Sequence, residues 1–223
     1  MDQKLFRKVL AEALGTASLL GAVTGSGIMA AKLSGANVGL ALLANALATG
    51  AALYVLILIY APISGAHFNP AVTLVMRLKS ALSTSDAVAY VIAQTVGGIV
   101  GVIAAHAMFE LPLLQASGTV RTGAGQWLAE GIAAFGLILT ILGTARLSVD
   151  KVAAAVGLYI VSAYWFTAST SFANPAVTIA RAFTDTFAGI MPANVPTFIV
   201  MQIVGALAGL QVARLLCRED GAD

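Results

Sequence analysis

The side chains able to do chemistry in this 223-residue chain are few and widely spaced. It has two histidines, His67 and His106, one cysteine, Cys217, and ten carboxylates that stand mostly alone. A lone cysteine excludes an intramolecular disulfide and a cysteine-based metal cluster. His67 has no Cys, Asp or second His beside it, so no metal site is expected. No nucleophile is paired with a base and no glycine-rich phosphate loop is present, which leaves little material for an enzyme or a cofactor. A net charge of +2 offers no basic patch to a nucleic acid. What stands out is a repeated string, Asn-Pro-Ala-Val-Thr, at 69–73 and again at 174–178.

Asn before Pro is a helix-start signal. Asn is a strong N-cap, and Pro suits the first helical position because it has no N–H to waste and a pre-set φ. Asn69-Pro70-Ala71 and Asn174-Pro175-Ala176 should each open a helix, reaching about Leu78 and about Phe183. Ten residues at 1.5 Å give roughly 15 Å, about half a bilayer's hydrocarbon core. Other landmarks pair around the motifs. Glu12 matches Glu130, Asn69 matches Asn174, and Gln94 matches Gln202, at offsets of 118, 105 and 108 residues. The phenylalanines before the motifs align only with a gap, since Phe68 touches Asn69 while Ala173 separates Phe172 from Asn174. One Asn-Pro-Ala is an ordinary loop-to-helix junction. Two, at equivalent places in a duplicated unit of roughly one hundred residues, mark a repeat.

The elements that must position these motifs follow from composition. Hydrophobic residues make up 59% of the chain and charged ones 10%, far from a soluble domain. Mean hydropathy is +0.92. Apolar runs at roughly 8–31, 38–62, 87–109, 127–147, 152–168 and 197–217 are long enough to cross a bilayer as helices. They show no apolar/polar alternation, which excludes a barrel. The first run exceeds a signal peptide's apolar core and lacks a persuasive cleavage site, so it reads as a retained helix. The 22 glycines and many alanines suit close helix packing in lipid. Three spans per half is an odd number, so the second half inserts upside down relative to the first. The expected architecture is an all-α membrane domain over 1–223, with repeats at about 1–110 and 126–223 and a linker around 110–126.

Two half-helices entering from opposite faces would meet near the midplane, where bare backbone survives only in protein or beside a wet cavity. Together their N-terminal ends present about one unit of positive charge-equivalent, which repels cations and protons. Asn69 and Asn174 have side-chain amides left over after capping. Glu12 and Glu130 are ionisable groups within spans, for which a proton relay is the default reading. Each lacks a second titratable group, so support of the neighbouring loop's unpaired N–H groups fits better. Gln94 and Gln202 read as polar glue between helices. Tyr159, Tyr164, Trp165 and Phe166 crowd the fifth span, where an interfacial aromatic belt is the default.

The six spans, the paired Asn-Pro-Ala, the His67-to-Thr73 string and the intramembrane Glu and Gln residues closely resemble the aquaporin superfamily, the major intrinsic proteins. The resemblance implies a homotetramer with one pore per protomer, in contact with membrane lipid and conducting small uncharged solutes and water. Asn69 and Asn174 would donate to the solute, Glu12 and Glu130 would hold the loops, and His67 would lie toward the cytoplasmic vestibule. Counted from the motifs, the family's outer constriction falls at Thr49, Ser162, Ser171 and Val177. The first position usually carries an aromatic ring and the last an Arg. Their replacement by Thr and Val implies a wider, uncharged mouth. Val177 and the following Thr178-Ile179-Ala180-Arg181 resemble the aquaglyceroporins carried with bacterial arsenic-resistance genes, which points to glycerol-like polyols, neutral arsenite or antimonite, and methylated arsenicals. Arg181, seven residues past the Asn, belongs at the outer end of the half-helix rather than in the constriction. The rival reading is a secondary transporter, because inverted repeats build those too.

Orientation follows from the bases. With a cytoplasmic N-terminus, Lys4, Arg7, Lys8, Arg77, Lys79, Arg146, Lys151, Arg214 and Arg218 lie inside, against Lys32, Arg121 and Arg181 outside. Nine against three is a firm positive-inside signal that puts both termini in the cytoplasm; taken with the family resemblance, it implies an inner-membrane protein. A reporter fused after Asp223 should therefore be active only in the cytoplasm; activity confined to the periplasm overturns this topology.

Overall fold

The computed structural model describes residues 2–216; Cys217 and Arg218 lie outside them. Among the described residues eight α-helices run in the order α1 (Gln3–Ser34), α2 (Val38–Ser64), α3 (Pro70–Leu78), α4 (Thr84–Met108), α5 (Ala124–Thr144), α6 (Val149–Phe166), α7 (Pro175–Arg181) and α8 (Val195–Leu216). Six are long and apolar enough to cross a membrane. The other two, α3 and α7, are the short helices that the Asn-Pro-Ala strings open, and α7 ends two residues before the expected Phe183. No strand occurs among the described residues.

The helices pack in matching sets. α1 lies against α4 and α2, α5 lies against α8 and α6, and α2 meets α6 across the halves. Lipid offers no hydrophobic drive between helices, so backbones must approach closely to gain dispersion contacts. Glycine permits this at equivalent places. Gly97 and Gly101 on α4 sit against the main chain of Ala13 and Ala17, and Gly205 and Gly209 on α8 sit against that of Gly131 and Phe135. Gly50 and Gly157 make the same kind of contact between α2 and α6. Gly15 leaves room for the Phe68 ring, which is buried beneath the first loop. Outward faces are apolar, with Leu10, Leu47, Val96, Leu128, Leu158 and Val204 all exposed, as lipid or a partner subunit would require.

A Cβ at Gly97 would overlap the Ala13 carbonyl, which is rigid backbone. Gly97→Val should therefore part α1 from α4 and destabilise the protein by about 1–3 kcal/mol or more. At Gly125, where nothing lies within 4 Å, alanine should be neutral. Thermal unfolding of the two purified variants in detergent checks the contrast.

Candidate functional site: a cavity between two half-helices

Each short helix is preceded by a stretch of irregular backbone with the same conformation. Gly65, Ala66 and Phe68 have φ of 92°, 51° and 49°, while Thr170, Ser171 and Ala173 have 62°, 51° and 49°. Left-handed conformations at non-glycine residues cost on the order of 1–3 kcal/mol each and persist only where the surroundings over-determine them. The surroundings here are two fully buried glutamates. Glu12 accepts from Ser64 Oγ (2.6 Å) and the N–H groups of His67 (3.0 Å) and Phe68 (2.7 Å), and from Gln94 Nε2 (2.8 Å). Glu130 accepts from the N–H groups of Phe172 and Ala173, both at 2.9 Å, and from Gln202 Nε2 at 2.5 Å. Gln94 also donates to Thr73 Oγ1 at 2.9 Å, and Gln202 to Thr178 Oγ1 at 2.8 Å. Each chain of contacts thus runs from a span through a loop to the Thr of the motif.

These bonds set the alignment of the two loops. His67 corresponds to Phe172 and Phe68 to Ala173, so the two phenylalanines are not counterparts and no gap is needed. The rings agree. His67 meets Tyr90 edge-on at 5.4 Å, and Phe172 meets Phe198 edge-on at the same 5.4 Å.

Both asparagines cap their helices. Asn69 Oδ1 accepts from the N–H groups of Ala71 (2.8 Å) and Val72 (3.5 Å), and Asn174 Oδ1 from those of Ala176 (2.9 Å) and Val177 (3.3 Å). Each amide also reaches across to the other loop. Asn69 Nδ2 donates to Ala173 O and Asn174 Nδ2 to Phe68 O, both at 2.8 Å. This reciprocal brace joins residues more than one hundred positions apart and has no local sequence signature. An amide has two N–H donors, so one on each Asn remains after the brace.

Asn69 and Asn174 face a shared cavity. Its walls are apolar stripes four residues apart: Leu19 and Val23 on α1, Leu53 and Ile57 on α2, Leu137 and Ile141 on α5, Val152, Val156 and Ile160 on α6. The polar side is supplied by the loops, with His67 on the first and Ser171 on the second. Along α6 the lining runs from Val152 to Tyr164, about 18 Å at 1.5 Å per residue. At the Tyr164 end stand Thr49, Ser171, Phe172 and Val177. Thr49 Oγ1 and Tyr164 Oη are 3.2 Å apart, and the buried Ser171 hydroxyl has no partner among the described residues.

One residue expected at a constriction, Ser162, is not on the cavity. Ser162 lies on the exposed face of α6, with its hydroxyl donating to the Tyr159 carbonyl at 2.8 Å, and it does not line the cavity. Tyr164 stands there instead, buried, and it leaves the aromatic belt expected of it; Trp165 and Phe166 remain exposed. The signal was available. Residues 152, 156, 160 and 164 share one helical face, whereas 162 is rotated about 200° from 160. His67 is wired through Nδ1 to Thr73 Oγ1 at 3.1 Å. His106 is a structural tie, bonded to Thr184 Oγ1 (2.7 Å) and Leu113 O (3.0 Å). Among the described residues no His, Cys, Asp and Glu group could hold a metal.

Six apolar spans, two half-helices meeting nose to nose and a cavity between them define a polytopic membrane protein with an internal path for small molecules. The chain belongs to the major intrinsic protein family, whose profile matches residues 1–148. It is 56% identical over 212 residues to aquaglyceroporin AqpS of Rhizobium meliloti (strain 1021), covering 95% of this chain and 91% of that one. It is 31% identical to glycerol uptake facilitator protein-like 6 of Lactiplantibacillus plantarum, over 96% of this chain and all of that protein. Its fold matches that of the aquaglyceroporin from Plasmodium falciparum with a TM-score of 0.78 and 22% identity, over 96% and 97% of the two chains.

Glu130→Gln puts an N–H₂ group among three donors. Losing one charge-assisted acceptor at a buried site should destabilise by about 1.5–3 kcal/mol, and Glu12→Gln should do the same. A lowered thermal midpoint with loss of solute flux in both variants is the expected result. Unchanged stability would mean that the glutamates do not hold the loops.

Proposed function

We propose that this chain forms a passive channel for small uncharged solutes, wider and less charged at its outer mouth than a water-selective pore. The carrying observation is the cavity's end at Thr49, Tyr164, Ser171 and Val177, where hydroxyls and a methyl-bearing side chain meet and, among the described residues, no Lys or Arg lines the wall. A solute hydroxyl can exchange hydrogen bonds with Ser171 and the remaining amide donors of Asn69 and Asn174 while its carbon face slides along the apolar stripes. Polyols such as glycerol, and neutral hydroxylated arsenite or antimonite, share this chemistry, and the kinship with proteins named for glycerol uptake and for an aquaglyceroporin supports it. The channel is one domain of two inverted repeats, read as a multi-pass inner-membrane homotetramer with cytoplasmic termini. We assign it no catalysis and no cofactor.

The secondary-transporter reading needs a coupling-ion site. Among the described residues the buried carboxylates are Glu12 and Glu130, and both are committed to holding loops. Flux that follows the solute gradient without saturation supports the channel.

Val177→Arg should add a planar cation at the mouth, slowing glycerol or arsenite far more than water. The loss should be several-fold or more, since about 1.4 kcal/mol is tenfold in rate. Thr49→Phe should act in the same direction by bulk. Solute and water permeability measured on the same proteoliposomes give a ratio independent of expression. An unchanged ratio in a folded Val177→Arg protein would show that Val177 does not narrow the path.

A further inference from the structure

Beside the mouth, and outside the cavity wall, two arginines converge on one ring. Arg181, the last residue of α7, is only 2% exposed, and its Cζ stands 3.4 Å from the centroid of Phe172. Arg121 comes from the linker between the halves, and its Cζ is 5.1 Å from the same centroid. Phe172 itself lines the cavity. The two guanidiniums therefore lie close together around that ring, and the buried carboxylate of Glu130 acts on both.

Holding two like charges around one ring in a water-poor place is unfavourable. Glu130, whose oxygens are taken up by the Phe172 and Ala173 N–H groups and Gln202, sets one negative charge against two positive ones, and the arginines' own bonds add none. Arg121 donates through Nε to Gly189 O at 2.7 Å, and more weakly through Nη1 to Ser169 O (3.4 Å) and Nη2 to Phe187 O (3.5 Å). Arg181 donates through Nε to Ala188 O, and its buried Nη1 has no partner among the described residues. Main-chain carbonyls orient a guanidinium but leave its formal charge in place. The negative end of α7's dipole favours Arg181 there, which explains one cation and not two. The constriction wall, with Val177 in it, has no fixed charge of its own.

We propose that Arg121 and Arg181 are the cation barrier of the outer mouth, acting as specificity-determining residues through the Phe172 wall rather than by touching the solute. Charge placed behind an apolar wall repels a monovalent cation over several ångströms, because the field crosses low-dielectric protein. The same placement leaves the opening free of a bulky side chain. The mouth is thereby both wide for neutral molecules and closed to cations. This inference rests on the channel reading above.

Its test is a pair of fluxes on one preparation: glycerol, as the neutral probe, and K⁺ driven by an imposed membrane potential. Wild-type glycerol flux tests the channel reading separately, since its absence would sink that reading whatever K⁺ does. Arg121→Gln should raise K⁺ flux on the order of tenfold over wild type, for loss of one charge at short range. Glycerol flux should stay within about twofold, a small change on the scale where tenfold is 1.4 kcal/mol. Arg121→Lys retains the charge without the planar fork and should hold K⁺ at the wild-type level. Arg121→Gln/Arg181→Gln should leak more than the single variant. K⁺ flux unchanged in both Gln variants with glycerol flux intact overturns the proposal, as does a lysine variant that leaks as much as the glutamine one. Loss of glycerol flux in Arg121→Gln also overturns it, because Arg121 would then be a strut for the loop.

Discussion

Unpaired backbone polar groups cannot be left in a hydrocarbon layer, where each costs several kcal/mol. This chain carries two stretches of irregular backbone to mid-membrane depth, and much of its polar inventory is explained by that constraint. Glu12 and Glu130 sit beneath the loops as acceptors, with Gln94 and Gln202 locking their positions. Burying a carboxylate is unfavourable unless its oxygens are met by donors, and here the donors are N–H groups that need acceptors. Two problems, each costly alone, solve one another. The left-handed residues at 66, 68, 171 and 173 are held in place by the same bonds.

The brace between Asn69 and Asn174 follows from this arrangement. With the loops fixed, the half-helices can point their N-termini at each other, and each amide ties its own helix start to the opposite loop. The result is a rigid polar seam along one side of a cavity whose other walls are packed aliphatic side chains. A molecule passing there meets hydrogen-bonding groups mainly along the loops, joined at one end by the Thr49 and Tyr164 hydroxyls, which suits a solute with hydroxyls on one edge and carbon on the other. Rigidity matters for selectivity, because a wall that could yield by an ångström would not separate glycerol-sized solutes from larger ones.

Much of this was legible in the sequence, and for identifiable reasons. Asn-Pro-Ala declares a helix start through the chemistry of two residues, and apolar run length declares a span, so α3, α7 and the six long helices fall close to where they were expected. The pairing of Glu12 with Glu130 came from repeat spacing. Ser162 failed because counting back from the motif crosses the irregular loop at 167–173, where residues do not advance at a fixed rate. The helical face of α6, which runs unbroken to Phe166, was the better ruler and gives Tyr164. Contacts such as the Asn brace, or the approach of Arg121 to Gly189 from 68 residues away, have no local signature because they depend on how the halves dock.

The duplicated frame also shows where the two ends of the path were free to differ. His67 and Phe172 hold the same place in their loops, each donating its N–H to the buried Glu and packing edge-on against the counterpart ring, Tyr90 or Phe198. Position is preserved and chemistry is not. In the first half the imidazole bonds Thr73, and Tyr90 adds a hydrogen bond to Ser64 O at 2.9 Å, so that end is finished with polar groups. In the second half the ring is phenyl, can accept no such bond, and instead presents a π face to two guanidiniums. Cations are attracted to an aromatic face by its quadrupole, so Phe172 makes the pair of arginines tolerable where an aliphatic residue would not. A scaffold whose backbone demands are met by Glu, Gln and Asn leaves the loop side chains free to differ, at Ala66 and Ser171 and at Phe68 and Ala173 as well as at His67 and Phe172. Those loop side chains give the two mouths their different chemistry.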